Sequence, residues 1–220
     1  HGPGRADGRS AAAVRVQLGS LNPAHFVERH GLLLIVAFGE SVIAIGTGIG
    51  ELPLTPGLFG GAFLSLALAV ALWWAYFVRD EEAAEAAFRN TPAPGRWRLA
   101  MNAYYYAFLP MLLGIAYLAT GVKKTLGHLT EHLHTGPALA LAGGVALFLA
   151  GDAAFRTVLR LHPVRFRAAA APVLPAAALL GVHLSAVAEL LALVGVLVVM
   201  LAVEARWCAT SEAPGDLVRT

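Results

Sequence analysis

The stretch from Asn22 to Gly50 carries the residues best suited to chemistry, because it places a charged cluster beside an apolar run that one carboxylate interrupts. As a helix, residues 31–50 would span about one bilayer thickness at ~1.5 Å per residue. Glu40 falls near the middle of that run. A carboxylate at the bilayer midplane costs at least ~2.5–3.5 kcal/mol on insertion scales, so Glu40 is expected to face protein or water and to serve a function.

Helical spacing gathers polar and small residues along this segment. His25, Arg29, Glu40 and Thr47 follow one stripe of the predicted helix. A neighbouring stripe of small residues, which lets another helix approach closely, contains Gly39, Gly46 and Gly50.

This arrangement predicts a path for a proton, a cation or a small solute, with Glu40 as the relay or binding group. The expected supporting residues are Ser41, Thr47, Asn102 and Tyr106. In the alternative, Glu40 is protonated or bonded to a neighbouring helix and only fixes packing.

Four polar residues precede the apolar run and form a predicted entrance cluster at the cytoplasmic face: His25, Glu28, Arg29 and His30. Their functional interpretation is a gate or a substrate contact. The alternative is an interfacial helix start with long charged side chains reaching water and Asn22 as its cap.

The third apolar segment carries Asn102, Tyr106 and Pro110 on one predicted face. A proline inside a membrane helix frees a backbone carbonyl, and transporters place binding sites at such breaks. A kinked helix that serves only packing is the alternative.

The remaining polar residues give weaker signals. Asp152 and Arg156 are spaced i,i+4, which favours an intrahelical ion pair. Three histidines lie close together in a predicted outer loop, but their spacing differs from the HExxH zinc motif. We therefore predict no metal site, no cofactor and no catalytic residues.

Composition places the chain in the membrane class. It is 58% hydrophobic and only 14% charged, with a mean hydropathy of +0.67, whereas soluble domains carry about 25% charged residues. Backbone polar groups in lipid need internal partners, so spans this apolar are helices. The fold class predicted is an all-α, polytopic transmembrane helix bundle.

Six spans are predicted within a transmembrane domain over 22–207: about 30–50, 57–78, 99–122, 136–155, 169–187 and 189–206. With both termini cytoplasmic, only Lys123 and Lys124 of the 16 Lys and Arg residues fall in outer loops. This asymmetry explains the net charge of +2 without a nucleic-acid partner. Residues 1–21 are predicted to be a disordered or linker segment, and 208–220 a cytoplasmic tail.

Four segments resemble the bacterial low temperature requirement A family: HFVERHGLLLIVAFGESVIAI (25–45), LWWAYF (72–77), LPMLLGIAYLATGVKK (109–124) and ALALAGGVALFLAGDAAFR (138–156). The resemblance covers roughly residues 22–206. It implies a multi-pass protein of the bacterial inner membrane, about twice this length, of which the chain would be the C-terminal half. The positions it carries over are His25, Glu28, Arg29, Gly39, Glu40 and Ser41.

The resemblance implies no particular reaction, since the family is named for a growth phenotype in the cold. It also predicts a histidine before the third-span proline, where this chain has Tyr106, Ala107 and Phe108. The expected partners are the lipid bilayer, the missing N-terminal half of the same protein and a second copy of the chain.

A secondary transporter or ion channel is the leading functional prediction. The rivals are a non-catalytic membrane scaffold or stress-response protein and an intramembrane enzyme acting on lipid. The enzyme would require histidines and carboxylates such as His25 and Asp152 to converge at one depth.

Overall fold

The computed structural model describes residues 23–50, 52–78 and 80–212. These residues form α-helices joined by short turns, with no β-strand among them. The helices are α1 (Pro23–Ile49), α2 (Pro56–Phe77), α3 (Asp80–Asn90), α4 (Ala93–Ala100), α5 (Phe108–Thr125), α6 (Thr135–Leu159), α7 (Arg165–Ala170), α8 (Ala178–His183) and α9 (Ala186–Glu212). A π-helix (Met101–Ala107) precedes α5, and a 3₁₀ turn (Leu174–Ala177) precedes α8.

Five stretches of helix are long and apolar enough to cross a membrane, with mean hydropathies between 1.5 and 2.7. They are His25–Ile49, Pro56–Asn90, Pro94–Thr125, Thr135–Leu159 and Ala186–Thr210. An apolar helix satisfies its own backbone hydrogen bonds in lipid. The predicted all-α helical bundle is thereby confirmed.

The structure differs from the prediction over 169–187, where the sequence predicts one span that kinks at its two prolines. Pro172 and Pro175 fall here, and proline removes a backbone donor and clashes with the preceding turn. The helix accordingly breaks into α7, the 3₁₀ turn and α8. The longest apolar piece is Leu174–His183, which is too short to cross alone.

The broken segment nevertheless connects the two ends of the bundle. Its start, Arg167, bonds Asp80 and Glu204 at what we call the inner end, the predicted cytoplasmic one. Near its finish, the Gly181 carbonyl accepts a hydrogen bond of 2.9 Å from Leu133 N–H at the opposite, outer end.

Helices α5 and α6 form the tightest pair in the bundle, because glycines let their backbones touch. A Cβ added to Gly144 would lie 2.6 Å from the Leu118 nitrogen, and one added to Gly114 would lie 2.6 Å from the Phe148 nitrogen. Contacts between small residues of this kind are the usual basis of helix association in membranes.

Helix α1 is the least enclosed of the long helices. In its most apolar stretch 28% of the residues are buried, against 61% in that of α6. Large apolar side chains such as Val36 and Ile43 are exposed along it. One side of α1 is therefore open in this structure.

Candidate functional site

Glu40 lies on the open side of α1 and lines a groove of about 640 Å³ between α1 and α5. The other polar residues of the groove are Thr47 on α1 and Thr120, Lys123 and Lys124 on α5. Both threonine hydroxyls donate to backbone carbonyls of their own helices, that of Ala44 at 3.2 Å and that of Ala116 at 2.9 Å. We call this space the Glu40 groove.

The Glu40 groove continues toward the outer end of the bundle. A second depression of about 670 Å³ shares Lys123 and Lys124 with it and is also lined by His128 and His134. The two lysines therefore stand between the mid-helix carboxylate and the outer surface.

The structure brings Glu40 and Thr47 together but places the other predicted ligands elsewhere. Ser41 is 2% exposed, and its hydroxyl has no hydrogen-bond partner within the described residues. Asn102 lines a different depression, near Arg98 and Arg160. Tyr106 is 65% exposed on the π-helix.

The predicted packing glycines of α1 behave in two ways. A Cβ added to Gly39 or Gly46 would meet nothing within 4 Å, so this side of the helix has no close neighbour among the described residues. Gly50 follows the last residue of α1 with a φ of 45°, a backbone conformation that suits glycine at a helix end.

The predicted entrance cluster divides into two groups. His25 and Glu28 form an exposed pair at 3.2 Å, and Arg29 beside them is also exposed. His30 instead packs among aromatic rings, with its centroid 4.4 Å from that of Phe26 and 4.5 Å from that of Tyr104. These positions do not favour a single gate built from all four residues.

A second group of polar residues, which we call the charge cluster, lies buried at the inner end. Two arginines and three carboxylates from four helices meet there, and each side chain is 5% exposed or less. The members are Asp80 from α3, Asp152 and Arg156 from α6, Arg167 from α7, and Glu204 from α9.

The arginines bridge the carboxylates at hydrogen-bond distance. Arg156 donates to Asp80 through Nε at 2.8 Å and Nη2 at 2.7 Å, and to Glu204 through Nη1 at 2.6 Å. Arg167 donates through Nη1 to both Asp80, at 2.7 Å, and Asp152, and through Nε to Glu204 at 3.2 Å. Hydrogen bonds between charged groups of this kind are stronger than those between neutral groups.

This geometry corrects the prediction of an intrahelical Asp152–Arg156 pair. Arg156 directs its guanidinium to Asp80 and Glu204, 76 and 48 residues away in sequence. Asp152 pairs with Arg167 instead. Tertiary partners outcompete the i,i+4 neighbour, because a buried guanidinium needs more acceptors than one adjacent carboxylate offers.

Arg167 is the centre of the cluster. Burial by itself would lower the pKa of its guanidinium, but the Asp152, Asp80 and Glu204 carboxylates outweigh burial and raise that pKa above its usual range. The guanidinium also donates to the Ala75 carbonyl at 2.8 Å. A cavity of about 230 Å³ lined by Arg167, Glu204 and Trp74 adjoins the cluster.

One further buried carboxyl lies at the outer end. Glu189, in the first turn of α9, is fully buried, and neither of its oxygens has a hydrogen-bond partner within the described part of the chain. It packs against Gly181, where no larger side chain would fit beside it.

The remaining predicted candidates do not assemble into a catalytic site. His25 is on the surface, whereas Asp152 is fully buried and bonded to Arg167. Among the described residues, no three His, Cys, Asp or Glu side chains come close enough to hold a metal ion.

Sequence reasoning does not predict the charge cluster, because it gives Arg156 only a neighbour on its own helix and gives Arg167 no partner. The distribution of Lys and Arg places Arg156 and Arg167 at the cytoplasmic face as solvent-facing positive charge. The available signal was the presence of Asp80 and Glu204 at the same predicted depth, at the ends of the second and sixth spans.

Comparison with known proteins gives the chain its family. The sequence model of the bacterial low temperature requirement A protein (LtrA) family matches residues 9–203. An uncharacterized protein of Rhizobium meliloti is 32% identical over 127 residues, which are 58% of this chain and 31% of that relative. The match thus spans about a third of the relative's length, and no solved structure matches the chain. The family match covers most of the sequence, and the chain is a membrane protein that belongs to the bacterial low temperature requirement A family.

Proposed function

We propose that this chain forms one wall of a proton-coupled transport path for a small solute, with Glu40 as the residue that takes up and releases the proton. The observation that carries the proposal is the position of Glu40, exposed at mid-helix in a groove that leads to the outer end. A carboxylate at this depth is costly, which makes a functional role the default interpretation.

The charges of the groove favour a proton over a metal cation. Lys123 and Lys124 line the Glu40 groove as well as the outer depression, and among the described residues that line the groove Glu40 is the only acidic one. Two ammonium groups repel a free cation along this route. When Glu40 binds a proton, its carboxyl group becomes uncharged, so the lysines do not repel it. The lysines attract an anionic solute.

The open side of α1 supplies the second part of the proposal. A path needs a wall opposite Glu40, and the space beside Gly39 and Gly46 admits another helix at close range. We assign that wall to further transmembrane helices of a longer family protein, with a second copy of the chain as the alternative. The protein would then be a multi-pass protein of the bacterial inner membrane with both termini cytoplasmic.

Proton flux into liposomes containing the purified full-length protein, with the helices that supply the opposite wall, tests this function. Glu40→Gln keeps the shape of the side chain and removes its proton exchange, so flux should fall by at least ~100-fold, the scale of a positioned proton-transfer group. Glu82→Gln is the matched control, because Glu82 is an exposed carboxylate on α3, outside the groove.

Flux that survives Glu40→Gln at equal amounts of folded protein would contradict the proposal. Absence of flux from both wild type and variant, across a panel of small anions, would also contradict it. Glu40 would then be a packing residue in a scaffold, held against a neighbouring helix.

A further inference from the structure

The charge cluster at the inner end does not balance its own charge. Two guanidinium groups face three carboxyl groups, so the cluster would carry a net charge of −1 if every carboxyl were ionised. Uncompensated charge in a buried site costs several kcal/mol. One additional positive charge would therefore make the cluster neutral and stabilise it.

The hydrogen bonds identify which carboxyl is least supported. Asp80 accepts three from the two arginines, and Glu204 also accepts three. Asp152 accepts one, from Arg167 Nη1 to its Oδ2. Its Oδ1 is buried and has no partner within the described residues.

Asp152 also competes directly with a like charge. Its Oδ2 and the Oδ2 of Asp80 both bond the same nitrogen, Nη1 of Arg167. Two carboxylates that converge on one site disfavour double ionisation, and a single proton relieves the repulsion.

We propose that the charge cluster binds one proton, carried on Oδ1 of Asp152. Among the described residues, the charged groups of the cluster around this carboxyl are Arg167 from α7, Asp80 from α3, Arg156 from the same helix and Glu204 from α9. With the proton bound, the five side chains are electrically neutral together.

A metal cation fits the site less well than a proton. Asp152 is 0% exposed, and the adjoining cavity is lined by Arg167 and Glu204 but not by Asp152. A cation in that cavity would lie beside a guanidinium, which repels it. The proton needs no such space.

The bound proton would affect how the broken segment, from α7 to α8, is held at the inner end. Arg167 lies in α7, near the start of this segment, and donates hydrogen bonds to Asp152, Asp80, Glu204 and the Ala75 carbonyl. Loss of the proton leaves one excess negative charge around Arg167. It thereby changes the electrostatic attraction between the carboxylates and Arg167 on α7. The site is separate from the Glu40 groove, so the inference does not depend on the proposed transport.

Infrared difference spectroscopy of the purified protein in lipid nanodiscs tests the inference. Asp152→Asn replaces a protonated carboxyl with an uncharged amide of the same shape, so the variant should fold. The carbonyl band of one protonated carboxylic acid should disappear. Glu189→Gln, which alters a different buried carboxyl at the outer end, should leave that band in place.

Proton counting gives an independent readout. An unfolded aspartic acid is ionised at about pH 7, so unfolding wild type should release about one proton more than unfolding Asp152→Asn. Equal release together with an unchanged carboxylic-acid band would overturn the proposal. Failure of Asp152→Asn to fold would also overturn it, because the amide stands in for the protonated acid.

A cation at the site would appear in a separate experiment. Na⁺ or K⁺ that raises the thermal stability of wild type saturably, but not that of Asp152→Asn, would replace the proton with a metal ion and contradict the proposal. Equal responses of the two proteins to both salts are expected.

Discussion

Glu40 and Asp152 are carboxyl groups on long apolar helices, and the bundle treats them in opposite ways. Glu40 is exposed in a groove whose other charged lining residues are two lysines. Asp152 is fully buried and bonded to Arg167 within a cluster of five ionisable side chains. The difference lies in the surrounding helices, because α1 has an open side and α6 is enclosed.

This contrast separates two uses of a charged group on an apolar helix. A carboxylate that must exchange a proton with a path needs access to water. Charges that join helices need close partners on every side, and removing one partner leaves the others uncompensated. The open and the enclosed regions should therefore respond differently to mutation.

The largest expected effect is loss of the central arginine. Arg167→Met removes the donor that Asp80, Asp152 and Glu204 share, and breaking a buried ion pair costs ~3–5 kcal/mol. The free energy of unfolding, from denaturant titration of the purified protein, should fall by about this amount.

Arg165→Met is the matched control for that substitution. Arg165 lies two residues away on the same short helix, is exposed and stacks 3.9 Å from the Trp207 ring. Its loss should cost only ~0.5–1 kcal/mol. Equal destabilisation by the two variants would show that the charge cluster contributes no more to the free energy of unfolding than an exposed arginine does.

A smaller effect is expected at the contact between α5 and α6. The methyl group of Gly144→Ala would lie 2.6 Å from the Leu118 backbone nitrogen, so the helices must separate. Overpacking of this kind costs ~1–3 kcal/mol.

The neighbouring glycine of α6 provides the comparison for Gly144. A Cβ on Gly143 would meet nothing within 4 Å. Gly143→Ala should therefore stabilise the helix by ~0.5–1 kcal/mol. Thermal unfolding of both variants checks the pair, and a Gly144→Ala protein as stable as Gly143→Ala would contradict the close approach.

The helices and the place of Glu40 inside one of them were predictable from local sequence. Long apolar runs require helices in lipid, and a single carboxylate inside such a run stands out without any tertiary information. The break over 169–187 was partly visible in Pro172 and Pro175. We predicted a kink there, whereas the helix divides into separate pieces.

The charge cluster was not predictable from spacing, because its partners come from distant parts of the chain. Arg156 and Asp80 are 76 residues apart, and Arg167 and Glu204 are 37 apart. Helical periodicity reveals neighbours within a few turns only. The same limit explains why Asn102 and Tyr106 were grouped with Glu40 although the structure separates them.

Access of water to Glu40 is the most direct test of the difference between the two regions. In a Cys208→Ser background, single cysteines at Glu40, Ser41 and Val36 would be exposed to a water-soluble, membrane-impermeant thiol reagent. Ser41 is the buried neighbour, and Val36 is an apolar residue of α1 that is 72% exposed.

The account predicts that cysteine at position 40 reacts from the outer side, while cysteines at 41 and 36 remain unmodified. Protection of position 40 to the same degree as position 36 would contradict it. Glu40 would then face lipid or a packed helix, and the groove would not be a path.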